Sequence, residues 1–113
     1  MKNQIVIVPF PFDDFSDLKI RPVLCLSEAV GKYDHIIVAF ISTQISDAHE
    51  LSDLIIFSTD ADFSTTGLKT DSVIRLHRLM SMPKSAVRRK LGELPEIYRA
   101  DVENRLKSLL ELP

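Results

Sequence analysis

Five short runs of apolar residues, rich in isoleucine and valine, fill the first two thirds of this sequence and constrain its fold most. Runs of five to eight residues between polar, proline or glycine residues are typical of β-strands, because helices are usually longer. We predict strands over residues 4–8, 23–27, 34–41, 53–58 and 72–76. Short strands joined by irregular loops predict a mainly β domain, built as a small barrel.

Two prolines close the first of these runs, in the sequence Pro9-Phe10-Pro11-Phe12. Proline has no backbone N–H to donate, so it does not fit a strand that is paired on both sides. We therefore expect the first strand to end here or to lie on an edge of the sheet. The polar and acidic residues 13–19 that follow predict a loop.

The last third of the sequence predicts helices. Pro83 suits the first turn of a helix and Gly92 suits the position after its end, so we predict a helix over residues 84–91. A second helix is predicted to start at Pro95. Its apolar residues recur at helical spacing and should pack on the sheet: Tyr98, Val102, Leu106, Leu109 and Leu110. With 113 residues and no repeat or linker, the chain is expected to form one domain, residues 1–113.

The charges of the sequence are segregated along the chain. The formal net charge is −2, whereas a protein that binds nucleic acid through charge is usually basic, so such a role needs a local patch. Every charged residue in residues 47–62 is acidic, but residues 69–90 carry seven lysines and arginines against one aspartate, Asp71. Two interpretations of the basic stretch stay open: a solvated face, or a surface that holds a polyanion.

Several classes of protein do not fit this sequence. A single cysteine, Cys25, excludes a disulfide framework and is expected to be a buried core thiol. No apolar run approaches the roughly 18 residues of a membrane span, and no leader precedes the first strand, so we expect a cytoplasmic protein. The histidines His35, His49 and His77 have no metal-ligand spacing, and no phosphate-binding glycine loop is present. We therefore expect neither a metal nor a cofactor.

Two polar motifs flank the predicted strands. Arg21 precedes Pro22 where the acidic loop enters the second strand, and a guanidinium there could bind two phosphate oxygens at once. The third strand ends in the polar sequence Ser42-Thr43-Gln44. That sequence fits a set of ligands for a polar substrate, but it also fits a turn whose side chains satisfy their own backbone.

A third motif combines an acid–base group with a cation. Arg75 and His77 lie two residues apart on the predicted fifth strand, so both side chains should point to one face of the sheet. There the histidine could move a proton near neutral pH while the arginine holds a phosphate, as RNA cleavage requires. An exposed strand face of mixed charge would have the same pattern, so this motif alone does not decide the function.

Several segments, in order from about residue 4 to residue 92, together resemble one known family. They are IVIVPFPF (5–12), KIRPVLCLS (19–27), ISTQ (41–44), TGLK (66–69), SVIRL (72–76) and RKLG, which ends at Gly92. The sequence resembles the MazF/PemK (Kid-like) family of type II toxin–antitoxin toxins. The resemblance implies an SH3-like barrel of the MazF/PemK/CcdB type with C-terminal helices. It also implies a homodimer and an antitoxin partner of the MazE/PemI kind.

The resemblance further implies an endoribonuclease that cuts single-stranded RNA, chiefly mRNA. In the family, the arginine of the Arg-Pro pair and a threonine or serine that ends the third strand lie in the cleavage site, which corresponds to Arg21 and Ser42 here. In the Kid branch an arginine and an aspartate two residues later also act, which corresponds to Arg75 and His77. The RNA-binding residues that we expect are Lys19, Thr43, Gln44, Lys69, Thr70 and Arg78.

These residues suggest a cleavage mechanism that needs no metal. We expect the 2′-hydroxyl of the RNA to attack the adjacent phosphorus, which gives a 2′,3′-cyclic phosphate and a 5′-hydroxyl. His77 would take the 2′-hydroxyl proton, Arg21 and Arg75 would stabilise the charge on phosphorus, and Ser42 would hydrogen-bond a phosphate oxygen or the attacking group.

The sequence departs from the family pattern at three places. Asn3-Gln4 stands where Gly-Asp or Gly-Glu is usual, Ser42 stands for a threonine, and His77 stands for an aspartate. Two alternatives therefore stay open: a non-nuclease toxin of the same fold, such as a CcdB-like gyrase inhibitor, and a catalytically inactive homologue that only binds an antitoxin.

Overall fold

The structure, a computed structural model, describes residues 1–11, 18–49 and 51–113. Its strands are β1 (Gln4–Pro11), β2 (Leu18–Cys25), β3 (His35–Ser42), β4 (Asp53–Ile56), β5 (Ser72–Pro83) and β6 (Arg89–Glu93). One α-helix, α1 (Arg99–Leu109), follows them in the described part of the chain. Short 3-10 helices occupy Ile45–Asp47, Phe63–Thr66, Lys84–Ala86 and Glu96–Tyr98. The predicted mainly β fold is confirmed.

The strands form one antiparallel sheet in the order β4-β5-β3-β2-β1-β6. The sheet curls into a half-barrel. Apolar clusters cover both faces of the sheet near its middle. Strands β1, β2 and β3 contribute to both clusters, because successive residues of a strand point to opposite faces. Ile5 and Leu24 belong to the apolar cluster on which α1 packs through Val102. Their neighbours Val6 and Val23 belong to a second cluster on the other face.

The two prolines of β1 lie at an edge of the sheet, which is one of the two positions expected for them. β1 pairs with β2 along Ile5 to Pro11, but it pairs with β6 only from Gln4 to Ile7. Among the strands of the described residues, only β2 borders β1 at Pro9 and Pro11, so their missing N–H groups cost no ladder bond. The predicted loop over 13–19 is wrong at its end, because β2 already begins at Leu18. The rest of that loop lies outside the described residues.

The helix predicted over residues 84–91 is wrong. A single 3-10 turn, Lys84–Ala86, leads into strand β6 instead. β6 covers the otherwise unpaired edge of β1, and the adjoining Arg88 N–H donates to the Ile7 carbonyl at 2.8 Å. Satisfying an exposed sheet edge outweighs the weak helical signals of Pro83 and Gly92. β5 also runs to Pro83, well past the predicted end at residue 76.

The second predicted helix is confirmed, with a 3-10 turn before α1. Val102 is buried, and Tyr98 and Leu106 pack beside it, whereas Leu109 and Leu110 remain exposed. No helix in the described residues is long and apolar enough to cross a membrane. Cys25 is buried, as expected, and burial raises the pKa of its thiol to about 11.

The Tyr98 hydroxyl donates a hydrogen bond to the Asp60 carboxylate. Burial, this bond and the charges of Asp60 and Asp62 raise the pKa of Tyr98 from 10.0 to about 12. A group whose pKa is higher in the folded state stabilises the fold fully below its unfolded pKa and loses that contribution as pH rises through the folded value. We expect the free energy of unfolding to fall more steeply between pH 10 and 12 in the wild type than in Tyr98→Phe.

Urea denaturation at several pH values measures these slopes. The matched control is Tyr33→Phe, because Tyr33 is 70% exposed and its replacement should leave the wild-type slope unchanged. Equal slopes in the wild type and Tyr98→Phe would show that the raised pKa of Tyr98 does not contribute to the pH dependence of stability.

Gly67 allows the 3-10 helix Phe63–Thr66 to lie directly on β6. Its φ is +72°, and a Cβ at this position would lie 2.2 Å from the carbonyl oxygen of Leu91. Gly31 also has a left-handed φ, +81°, but a Cβ there would meet nothing within 4 Å. The two positions therefore share the backbone cost of an L side chain and differ in the steric contact.

We expect Gly67→Ala to destabilise the protein clearly more than Gly31→Ala. The left-handed backbone costs each variant about 1–2 kcal/mol, and the contact with Leu91 adds about 1–3 kcal/mol to the first. Urea denaturation of both variants measures the difference. Equal losses would show that the close approach to β6 carries no energetic weight.

Candidate active site

A pocket of about 880 Å³ opens on the sheet beside the ends of β2 and β3. All four candidate catalytic residues line it: Arg21, Ser42, Arg75 and His77. Five of the six candidate RNA-binding residues line it as well: Thr43, Gln44, Lys69, Thr70 and Arg78. The sixth, Lys19, is exposed on β2 two residues before Arg21 and lies outside the described lining.

The pocket is strongly cationic, although the chain as a whole is slightly acidic. Among the described lining residues, the cations are Arg21, Lys69, Arg75, Arg78 and Arg89, and the single carboxylate is Asp47. Cations that line one concave surface raise the local concentration of a polyanion far more than the same charges spread over the protein. The basic stretch of the sequence thus contributes to a pocket, which favours the second of its two interpretations.

Arg21 reaches the pocket because β2 diverges from β3. The two strands pair only over Val23 to Cys25 of β2. In the described part of the chain, the preceding residues of β2 therefore pair with β1 alone. Pro22 fits this position, because it has no N–H that would need a partner on the open side. The half-buried Arg21 side chain therefore lines the opening between the two strands.

An irregularity in the pairing of β5 with β3 directs the side chain of His77 into the pocket. Phe40 of β3 faces Arg75 of β5, but the adjacent Ala39 faces Leu79, so three residues of β5 have no partner on β3. The Leu76 N–H donates instead to the carbonyl of Ser52 at 2.8 Å. The strand bends here, and His77 points into the pocket with 43% of its side chain exposed. Strand bulges commonly redirect a side chain in this way.

Arg75 is buried and held by three acceptors. Its Nη1 donates to Oδ2 of Asp53 at 2.9 Å and to the Asp47 carbonyl at 3.4 Å. Its Nη2 donates to the Gln44 carbonyl at 3.0 Å. The side chain is only 10% exposed. The guanidinium therefore fixes the segment after β3 in place while its charge remains at the pocket wall.

The end of β3 is a turn held by its own side chain. Ser42 Oγ accepts the N–H of Gln44 at 3.0 Å, and the 3-10 helix Ile45–Asp47 follows. The turn interpretation of this motif is thus confirmed, and the same residues also line the pocket. A hydroxyl that accepts one bond can still donate its own proton, so Ser42 can serve both the turn and a ligand.

Two further segments complete the described wall. Buried Thr66 donates to the Phe63 carbonyl at 2.7 Å and accepts the Leu68 N–H at 3.0 Å. This turn presents exposed Lys69 and Thr70 to the pocket. On the opposite strand the Arg78 guanidinium lies over the Phe40 ring, 5.0 Å from its centre, which is a favourable cation–π distance.

Sequence reasoning missed three charged residues of this site: Asp47 and Arg89, which line the pocket, and Asp53, which pairs with Arg75. Asp53 is predicted only to belong to the acidic stretch 47–62 and to begin a strand, although an acid that opens an otherwise apolar run is an unusual strand residue. Arg89 is predicted to lie in a helix, but it lies on β6 and lines the pocket. No group of three or more potential metal ligands occurs within residues 1–11, 18–49 and 51–113.

Comparison with known proteins identifies a family. The model of the PemK-like, MazF-like toxins of type II toxin–antitoxin systems matches residues 1–110. Among solved structures, toxin MazF-mt6 of Mycobacterium tuberculosis is 20% identical with a TM-score of 0.72, over 97% of this chain and 98% of that one. Comparison with curated protein sequences gives no significant match.

Two other solved structures are similar. An endoribonuclease from a mycobacterial species, in complex with its cognate antitoxin, is 13% identical with a TM-score of 0.72, over 100% of this chain and 96% of that one. A further mycobacterial endoribonuclease is 14% identical with a TM-score of 0.69, over 100% and 92% of the two chains. At these identities the likeness establishes the fold, and the predicted MazF-type architecture is confirmed.

Proposed function

Since this chain belongs to the PemK-like, MazF-like toxins of type II toxin–antitoxin systems, we propose that it is an endoribonuclease that cuts single-stranded RNA. The observation that carries the proposal is the convergence of Arg21, Ser42, Arg75 and His77, from three strands, on one cationic pocket. Arg21, Ser42 and the pair Arg75 and His77 belong to three separate segments of the sequence, which the fold brings together. A pocket that joins phosphate-binding cations to an imidazole has the groups that RNA cleavage requires.

In the proposed reaction the RNA supplies its own nucleophile. His77 takes the proton of a 2′-hydroxyl, and the 2′-oxygen then bonds to the adjacent phosphorus. The bond from phosphorus to the 5′-oxygen breaks, and that oxygen takes a proton from water. The products are a 2′,3′-cyclic phosphate and a 5′-hydroxyl. Because the substrate provides the attacking oxygen, the reaction does not require a metal-bound hydroxide.

The other residues of the pocket have different proposed roles, which follow from their contacts. Arg21 is the proposed direct ligand of the reacting phosphate, and Ser42 donates its hydroxyl proton to a phosphate oxygen. Arg75 adds positive charge at the wall, but its hydrogen bonds to Asp53 and two carbonyls also make it the residue that holds the segment after β3. The exposed residues Lys69 and Thr70 bind the RNA backbone on the opposite wall.

The proposed partners follow from the same family membership. One similar structure is an endoribonuclease in complex with its cognate antitoxin, and we propose that a MazE/PemI-like antitoxin inhibits this chain as well. We also propose that the protein is a cytoplasmic homodimer. Analytical ultracentrifugation of the purified chain tests the dimer.

Arg21→Ala is expected to lower RNA cleavage by about 10²–10³-fold, the usual effect of removing one donor to a developing oxyanion. The measurement is digestion of a long single-stranded RNA with EDTA present, followed by analysis of the product ends. Lys32→Ala is the matched control, because Lys32 is an exposed cation outside the described lining. A single-stranded DNA of the same sequence should remain intact, since it has no 2′-hydroxyl.

Three results would contradict the proposal. Folded wild-type protein that leaves RNA intact would favour the gyrase inhibitor or the inactive homologue. Cleavage of the DNA would exclude 2′-hydroxyl attack. Cleavage that stops in EDTA would show that a metal takes part.

A further inference from the structure

The carboxylate of Asp53 is completely buried beside the pocket. Asp53 is the first residue of β4 and lies directly opposite Arg75 on β5. Its side chain is 0% exposed, whereas aspartate is almost never fully buried unless it is paired. Burying a carboxylate is unfavourable by several kcal/mol before its partners are counted. A fold retains such a group only where its contacts compensate, so each contact of the two oxygens matters.

One oxygen of Asp53 is held firmly. Oδ2 accepts a hydrogen bond from Nη1 of Arg75 at 2.9 Å and another from the backbone N–H of His49 at 2.7 Å. The Asp53 N–H in turn donates to the His49 carbonyl at 3.0 Å. These bonds fix both the backbone and the plane of the carboxylate, which determines where the second oxygen points.

The second oxygen faces the proposed base. Oδ1 is buried and accepts no hydrogen bond from the described residues, and it lies 3.3 Å from Nδ1 of His77. His77 itself lines the pocket and is 43% exposed. The carboxylate therefore borders one ring nitrogen, and the other ring nitrogen is the one available to a substrate.

We propose that Asp53 is a positioning residue, which holds the Nδ1–H tautomer of His77 and thereby presents Nε2 as the proton acceptor in the pocket. Its role in cleavage rests on the ribonuclease function proposed above, but the tautomer that it selects does not. A carboxylate oxygen 3.3 Å from Nδ1 favours the tautomer with its proton on that nitrogen, because a lone pair there would face a buried anion. A proton on Nδ1 leaves the lone pair on Nε2, as a general base requires.

A purely structural role for Asp53 makes a different prediction. If the carboxylate only neutralised Arg75, the neutral His77 ring would adopt the Nε2–H form that a free imidazole prefers, and the lone pair would point at a buried anion. The tautomer of His77 therefore separates the two roles, and it can be measured without RNA.

The experiment is a long-range ¹H–¹⁵N NMR spectrum of the ¹⁵N-histidine-labelled protein at mildly alkaline pH. The expected result is that His77 of the wild type has its proton on Nδ1. In Asp53→Asn the amide oxygen should still accept from Arg75, which turns the NH₂ group toward His77 and moves the proton to Nε2. His35, on the far part of β3, is the internal control and should keep its tautomer. An Nε2–H form in the wild type overturns the proposal, even if Asp53→Asn fails to fold.

Kinetics of the same two proteins test the catalytic consequence. We expect Asp53→Asn to lower kcat by about 10²–10⁴-fold with little change in KM, because a histidine in the wrong tautomer cannot act as the base. An unchanged kcat in the folded variant overturns the positioning role. If the wild type holds the Nδ1–H form and yet cuts no RNA, the ribonuclease function fails, and with it the catalytic role, while the contact with His77 stands.

Discussion

His77→Gln is expected to lower the rate of RNA cleavage by about 10²–10⁴-fold, the range that general acid–base catalysis contributes. Glutamine has a similar size and can hydrogen-bond Asp53, but it cannot accept and release a proton near neutral pH. The loss should appear in kcat. RNA binding should change little, because the five cations of the described lining remain.

The comparison variant for this experiment is His35→Gln. His35 lies at the start of β3 and outside the described lining of the pocket, so its replacement should leave cleavage unchanged. Single-turnover cleavage at saturating enzyme isolates the chemical step, and the RNA dissociation constant is measured separately on a substrate with a 2′-deoxy cleavage site. Cleavage by His77→Gln within a few-fold of wild type would remove His77 from the proton-transfer step.

Salt dependence separates binding from chemistry in these variants. The affinity for RNA should fall with added salt in the wild type and in His77→Gln alike, because both keep the same phosphate contacts. A weaker salt dependence is expected only when a cation such as Lys69 is removed. If His77→Gln changed the salt dependence itself, the histidine would be a phosphate ligand rather than a base.

The strands that were predictable are those whose own residues select the strand state. Isoleucine and valine make up half of β1 and half of β3, and their branched side chains pack well on a half-buried pleated surface. β6 has the sequence RKLGE, which has no such preference. It becomes a strand because the edge of β1 needs a partner, and that requirement arises only after the sheet has formed.

The residues of the candidate site fall into the same two groups, those that local sequence indicates and those whose role depends on the fold. Arg21, Ser42 and Arg75 could be predicted because each lies in a short motif that resembles the family. Such a motif is contiguous and can be recognised without the structure. Asp53 was missed because its role depends on Arg75, 22 residues away, and on the bend that turns His77 toward it. The carboxylate beside His77 comes from β4, which no local motif around His77 could indicate.

The second large effect concerns stability. Asp53→Ala is expected to lower the free energy of unfolding by about 3–5 kcal/mol, the usual result of removing one partner of a buried ion pair. Arg75 would keep its charge at 10% exposure and, among the described residues, would have only the carbonyls of Gln44 and Asp47 as acceptors. The His49 N–H would also lose its acceptor. Urea denaturation followed by circular dichroism measures the loss.

Two further variants show whether the loss comes from the unpaired charge. The double variant Asp53→Leu with Arg75→Met should recover much of the stability, because apolar residues of similar volume often replace a buried pair at no net cost. Glu93→Ala breaks the exposed pair with Lys90, in which both side chains are 49% exposed. It should cost no more than about 1 kcal/mol. If Asp53→Ala cost as little as Glu93→Ala, solvent would be screening the Asp53–Arg75 pair, and the rigid carboxylate on which the orientation of His77 depends would not exist.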